Sequence, residues 1–295
     1  MTLTRRFVAA GASALAAAGC SPLAIFDAVA PHDGGTVKAA AALAYGSHPR
    51  QTLDIHVPTN RSSGPLPVVV FFYGGSWKFG SKSEYDFVGA ALAAQGFVTV
   101  LPDYRLYPEV RFPDFLDDSA AAVRFAQQNA ERFGGDGGHI VLAGHSAGAY
   151  NAAMLALDAR YLARAGVAAG AIRAFAGLSG PYDFLPLDPG TAQEVFGAVP
   201  NRAATQPITF AGRFSPPAFL ATGDADDTVR PRNTVNLAAK LRASGVPAVE
   251  RIYPGLDHKG TLLALSLPFR GRAPVLAEMS AFLQEQAQIA RRAAR

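Results

Sequence analysis

From residue 50 to residue 254 the chain alternates short apolar runs with longer amphipathic stretches. LDIHVP (53–58) switches between apolar and polar residues, as a half-covered edge strand does. VVVFFY (68–73), FVTVLPDY (97–104), HIVLAGH (139–145), IRAFAGLSG (172–180) and PAFLATGD (217–224) are nearly continuous in apolar residues. That is the pattern of strands covered on both faces. AVERIYP (248–254) closes the series. Residues 114–133 set Leu116, Ala120, Val123, Ala130 and Phe133 along one side and stop at Gly134-Gly135, which predicts a helix with a glycine C-cap. Residues 233–244 predict a second helix ended by Gly245, and residues 273–290 a third, with Leu276, Met279, Phe282, Leu283 and Ile289 on one face. Strand-then-helix repetition predicts an α/β domain with a mostly parallel, doubly wound sheet and helices on both faces. The Pro- and Gly-rich stretch 184–216 is only weakly periodic and reads as a short cap insertion over the C-terminal edge of the sheet, where open α/β folds bind ligands.

The N-terminus breaks this pattern. Arg5 and Arg6 precede an apolar, small-residue stretch over 7–18, the layout of an export signal. That stretch is shorter than the roughly 20 apolar residues a spanning helix needs. Cys20, the only cysteine, follows in AAAGC, which resembles a bacterial lipobox with Ala17 in place of the usual leucine. The expectation is a signal peptide over 1–19, lipidation at Cys20, a tether over 20–45 and a folded domain over 46–295. The protein is then exported to a bacterial envelope, periplasmic or membrane-anchored through its lipid alone. Disulfides are excluded by the single cysteine.

Charge adds little. The net charge of +4 falls to +2 without Arg5 and Arg6, and no basic block stands out apart from arginines at the two ends, so no nucleic-acid surface is expected.

The chemistry concentrates in IVLAGHSAGAYNAAM (140–154), an apolar run, Gly144-His145-Ser146-Ala147-Gly148, then a helix-like stretch. A serine in a sharp strand-to-helix turn needs small residues two positions either side, and Gly144 and Gly148 supply them. The pentapeptide alone is weak; the strand–turn–helix context gives it weight. A serine hydroxyl requires a base, and the base an orienting acid; behind a strand–turn–helix serine of this kind the expected chain order is Ser, then Asp or Glu, then His. Of six histidines only His258, in YPGLDHKG, lies beyond Ser146. Asp224, Asp226 and Asp227 after PAFLATGD, and Asp183 in GPYDF, are the candidate acids, and spacing does not separate them. The run VVVFFY ends in Gly74-Gly75-Ser76-Trp77, where a loop can bare backbone N–H groups towards an oxyanion. A further donor is expected at Ala147, the residue after the nucleophile. The loop carries neither GxGxxG nor GxxxxGK[ST], so a phosphate loop fits poorly.

Taken together, GHSAG, YGGSWKFG, DYRLYPE (103–109) and GDADDTVRP (223–231) resemble the α/β-hydrolase superfamily over about residues 50–290. More narrowly they resemble its bacterial carboxylesterase branch, which includes hormone-sensitive-lipase-like, acetyl-xylan and feruloyl esterases and kynurenine formamidase. The resemblance implies an α/β-hydrolase fold. It selects Asp226 as the acid and the N–H groups of Gly75 and Ser76 as oxyanion donors, with Gly74 letting the chain turn. Tyr73 stands where that family carries a histidine. The implied activity is a serine esterase working through an acyl-enzyme, without metal or organic cofactor, on a small-molecule ester or an acylated glycan with short acyl, acetyl or feruloyl groups. Trp77, Tyr182 and Phe184 are expected to line the substrate cleft. The same triad would serve an amidase, a formamidase or a small peptidase, and a non-catalytic binding lipoprotein is the rival from another class.

Overall fold

The computed structural model describes residues 21–60, 64–168 and 170–293. Its sheet has eight strands: β1 (Thr36–Ala44), β2 (Thr52–Pro58), β3 (Leu66–Phe72), β4 (Val98–Pro102), β5 (Gly135–His145), β6 (Ile172–Leu178), β7 (Ala218–Gly223) and β8 (Ala248–Tyr253). The spatial order is β1-β2-β4-β3-β5-β6-β7-β8. Pairings β1–β2 and β2–β4 are antiparallel and the others parallel. The central strands β3, β4 and β5 are covered on both faces, so Val68–Phe72 and Ile140–Ala143 are fully buried.

Helices α1 (Pro22–Val29), α2 (Asp86–Ala94), α3 (Asp114–Asn129), α4 (Ala147–Leu157), α5 (Ala159–Ala165), α6 (Thr191–Phe196), α7 (Pro207–Phe210), α8 (Arg232–Ala243), α9 (Gly260–Leu263) and α10 (Val275–Ala293) follow in chain order. The expected helix over 114–133 is α3 continued by a 3₁₀ turn over Ala130–Phe133, and Gly134 ends it in the left-handed conformation. The helices expected over 233–244 and 273–290 are α8 and α10, and Leu276, Met279, Phe282 and Leu283 of α10 face the core. Residues 184–216 run from just after β6 to just before β7 and carry α6, a 3₁₀ turn and α7.

The N-terminal boundary differs from expectation. Residues 21–45 do not form a tether: they supply α1 and β1. LDIHVP is consequently an inner strand, because β1 covers its free side. The alanine-rich TVKAAAALA has little strand propensity of its own. It is held by long-range contacts: the Ala42 N–H donates to Asp54 Oδ1 at 2.8 Å, and Lys38 Nζ donates to Asp54 Oδ2 at 3.2 Å. The signal over 1–19 and the lipidation site Cys20 lie outside the described residues.

Candidate active site

Ser146 sits between the end of β5 and the first residue of α4, with φ 55° and ψ −121°, a conformation few non-glycine residues adopt. The flanking glycines make this turn possible by close approach. A Cβ on Gly144 would stand 2.4 Å from backbone atoms of Gly148, and one on Gly148 would stand 2.0 Å from the Phe72 carbonyl oxygen.

Three side chains from separate loops converge here. The Ser146 hydroxyl lies 2.9 Å from His258 Nε2, and His258 Nδ1 lies 2.9 and 3.1 Å from the two carboxylate oxygens of Asp226. Serine as donor to Nε2 and Nδ1–H as donor to the carboxylate give one consistent tautomer. Asp226 follows β7 and is only 3% exposed; its Oδ1 also accepts the Val229 N–H at 2.8 Å. Burial works against its ionisation, but the hydrogen bond and charge of His258 and the Val229 N–H outweigh it. The carboxyl therefore lies below the ordinary carboxylate range. The other candidate acids are elsewhere: exposed Asp224 accepts the Gly255 N–H, exposed Asp227 pairs with Thr228, and Asp183 accepts from Asn236. Such an array can move a proton from a hydroxyl to an imidazole while the carboxylate stabilises the imidazolium.

The loop after β3 packs directly on the serine. A Cβ on Gly74 would stand 3.0 Å from Ser146 Cβ, so this glycine is required for close approach, whereas the turn itself is made by Gly75 at φ +128°. The Gly74 N–H donates to the Tyr85 hydroxyl at 3.2 Å. By contrast, the N–H groups of Gly75, Ser76 and Ala147 donate to no acceptor among the described residues. Free N–H groups on this loop and at the start of α4 are what an oxyanion site requires. Beneath the loop, the Tyr73 hydroxyl accepts from Arg50 at 2.7 Å, its ring stacks on Tyr104 at 4.7 Å, and Arg50 also donates to the Gly80 carbonyl. Tyr73 is thus a support of the loop and is fully buried.

Residues 53–241 match the BD-FAE family. The chain belongs to that family. It is 30% identical over 251 residues to the probable isoprenylcysteine alpha-carbonyl methylesterase ICMEL2 of Arabidopsis thaliana, covering 78% of this chain and 59% of that protein. It is also 30% identical over 239 residues to esterase LipC of Mycobacterium tuberculosis, covering 74% of this chain and 59% of that protein. The chain therefore spans about three fifths of the length of these curated relatives. Among solved structures, an inhibited esterase B from Lactobacillus rhamnosis superposes with a TM-score of 0.79 at 20% identity, covering 90% of this chain and 92% of that one. The fold is that of the α/β-hydrolases.

One expectation about this BD-FAE chain needs correction. Trp77, Tyr182 and Phe184 do not line the cleft beside Ser146. Trp77 lies in a packed aromatic cluster with Tyr150 at 5.1 Å and Phe196 at 4.8 Å, and its indole N–H donates to Asn151 at 3.0 Å. Tyr182 is fully buried against Gly177 and Gly180, and half-buried Phe184 packs on Tyr150 and Phe196. The cleft that does adjoin the serine, about 400 Å³, is lined by Gly74, Gly75, His145 and His258 together with residues of α1 and of the 262–269 segment. A cavity of about 530 Å³ lined by Leu162, Val167 and Phe214 contains none of these residues.

His145 and Arg50 had no signal in the sequence. His145 Nε2–H donates to the His258 carbonyl oxygen at 2.8 Å, holding the loop that carries the imidazole. Burial, with His258 alongside, pushes the His145 pKa down to about 3, so it is neutral beside the His258 imidazole. Only a chain fold that returns residue 258 to residue 145 creates this contact.

Proposed function

We propose that this protein is a serine hydrolase of carboxylic esters. The observation that carries the reading is the continuous relay from Ser146 through His258 to Asp226, at 2.9 Å per link. In it, Ser146 Oγ attacks the ester carbonyl carbon while His258 Nε2 takes the hydroxyl proton. Negative charge gathers on the carbonyl oxygen and is met by the N–H groups of Gly75, Ser76 and Ala147. Collapse expels the alcohol, which receives the proton from His258, and leaves an acyl group on Ser146. A water molecule, deprotonated by His258, then attacks the acyl carbon, and the acid departs as Ser146 regains its proton. Asp226 keeps the imidazole oriented and stabilises its positive form throughout.

The relatives at 30% identity, a probable methylesterase and an esterase, support ester chemistry over amide cleavage. The substrate is a small-molecule ester with a modest acyl group, and an acetylated or feruloylated glycan is its polymeric counterpart. Export with a lipid on Cys20 rests on the N-terminal sequence alone, and fatty-acid analogue labelling of wild type against Cys20→Ala tests it. The enzymatic reading is tested with a fluorophosphonate probe. Wild type should label and Ser146→Ala should not; equal labelling of both, or none of wild type, would refute it.

A further inference from the structure

The cleft beside Ser146 is walled on one side by the N-terminal helix. Ser21 caps α1 by accepting the Ala24 N–H at 3.0 Å, and Pro22 occupies the first turn, where its missing N–H costs nothing. The helix is then fastened from three directions. Buried Asp27 accepts the Phe87 N–H at 2.8 Å. Phe26 stands edge-on to Phe87 at 5.4 Å and packs on Phe269 at 5.8 Å. Just beyond, Asp33 binds both terminal nitrogens of Arg270 at 2.8 Å. The Phe26–Phe269 contact joins α1 to the 262–269 segment, which supplies Leu262, Leu263 and Phe269 to the same cleft.

The surface so enclosed is apolar. Leu23, Phe26, Phe79, Leu262, Leu263 and Phe269 line it, with Glu84 and Lys259 as its charged members. Phe79, on the same loop as Gly75, is 68% exposed. Its ring belongs to the same lining as Leu23, Phe26, Leu262, Leu263 and Phe269, so the apolar surface reaches the loop beside Ser146. Because Gly74, Gly75 and His258 belong to the same lining, a carbonyl group held at Ser146 directs one arm of the ester into this space. The volume is within the range of small-molecule sites.

We propose that α1 and the 262–269 segment form a binding subsite for an apolar chain of the ester. The subsite rests on the reading of Ser146 as nucleophile. It also assigns a role to residues immediately following Cys20: they shape specificity. Each methylene entering the cleft should raise kcat/KM by about twofold to fourfold until the cleft is filled.

The test measures kcat/KM on p-nitrophenyl esters from acetyl to dodecanoyl, and in parallel on acetate esters from ethyl to octyl. A rise with chain length in the first series assigns the chain to the acid, and in the second to the alcohol; either supports the subsite. Leu23→Trp on α1 and Leu263→Trp on the 262–269 segment should each lower the octanoyl-to-acetyl ratio, or the octyl-to-ethyl ratio, by about tenfold or more. A ratio does not depend on the fraction of folded enzyme, so partial misfolding of either variant does not mask the result. No rise in either series, or ratios within twofold of wild type in both variants, would overturn the proposal. Fluorophosphonate labelling of the same samples separates the two failures. Labelled enzyme with flat ratios refutes only the subsite, whereas absence of labelling and of turnover in wild type refutes the hydrolase reading beneath it.

Discussion

Trp77 and Phe79 are two residues apart on one loop and have opposite fates. Trp77 is 6% exposed, locked by Tyr150, Phe196 and a hydrogen bond to Asn151, while Phe79 is 68% exposed at the cleft. Ser76 and Trp77 both hold positive φ, at 55° and 58°, which is costly for residues with a Cβ. The packed side of the loop holds that conformation in place; the open side is free to meet a ligand. The same contrast recurs at Asp226 and Asp224, where one carboxylate is buried against His258 and the other is exposed on Gly255. A side chain that works by being fixed and one that works by being available need different surroundings, although their sequence neighbourhoods are nearly the same.

Substitutions can break each half of this contrast. The largest effect is expected at the aspartates: Asp226→Asn should lower kcat by about 10⁴-fold by disturbing the imidazole tautomer. Asp224→Asn should leave kcat within a few-fold of wild type, and the reverse pattern in ester turnover would move the acid to Asp224. Next, Trp77→Ala should cost about 3–5 kcal/mol of stability through the cavity it leaves, read by chemical denaturation. Phe79→Ala should change stability by less than about 0.5 kcal/mol, since little is buried there.

His145 gives an effect of similar size that depends on pH. Its pKa is about 3 when folded, against about 6.5 in an unfolded chain, so between those values the unfolded state binds the extra proton. Its contribution to stability is therefore complete above pH 6.5 and is lost as pH falls towards 3, at up to about 1.4 kcal/mol per pH unit. His145→Gln should flatten the decline of melting temperature across that window. A smaller effect than at Trp77 is expected at Tyr73→Phe, which removes the acceptor of one Arg50 hydrogen bond and should cost about 1 kcal/mol with a modest loss of rate.

Much of the site was legible because its constraints are local. Gly144 and Gly148 are required by the backbone around Ser146, and that requirement is written at fixed spacing in the pentapeptide. His258 was identified because no other histidine follows the serine. The strands were legible for a related reason: burial on both faces demands unbroken apolar runs. The choice of Asp226 over its neighbours needed the family resemblance, since three aspartates within four residues have equivalent spacing. β1 was hidden because its alanine-rich sequence has little strand preference of its own and is held by Asp54, and α1 because its eight residues are held by distant partners at Phe87 and Phe269.

Local sequence alone established the inner parallel strands, helices α3, α8 and α10, the strained serine turn, its histidine partner and the glycine pair that lets a loop approach Ser146. Each of these is imposed on the backbone within a few residues, or by a composition so sparse that one candidate remains. Only tertiary contacts settled which aromatics are packing and which face the cleft, that Tyr73 supports the loop after β3 through Arg50, and that the N-terminal helix walls the site. Those outcomes depend on contacts between residues far apart in the chain, such as Trp77 with Phe196 and Phe26 with Phe269, and no local pattern encodes them.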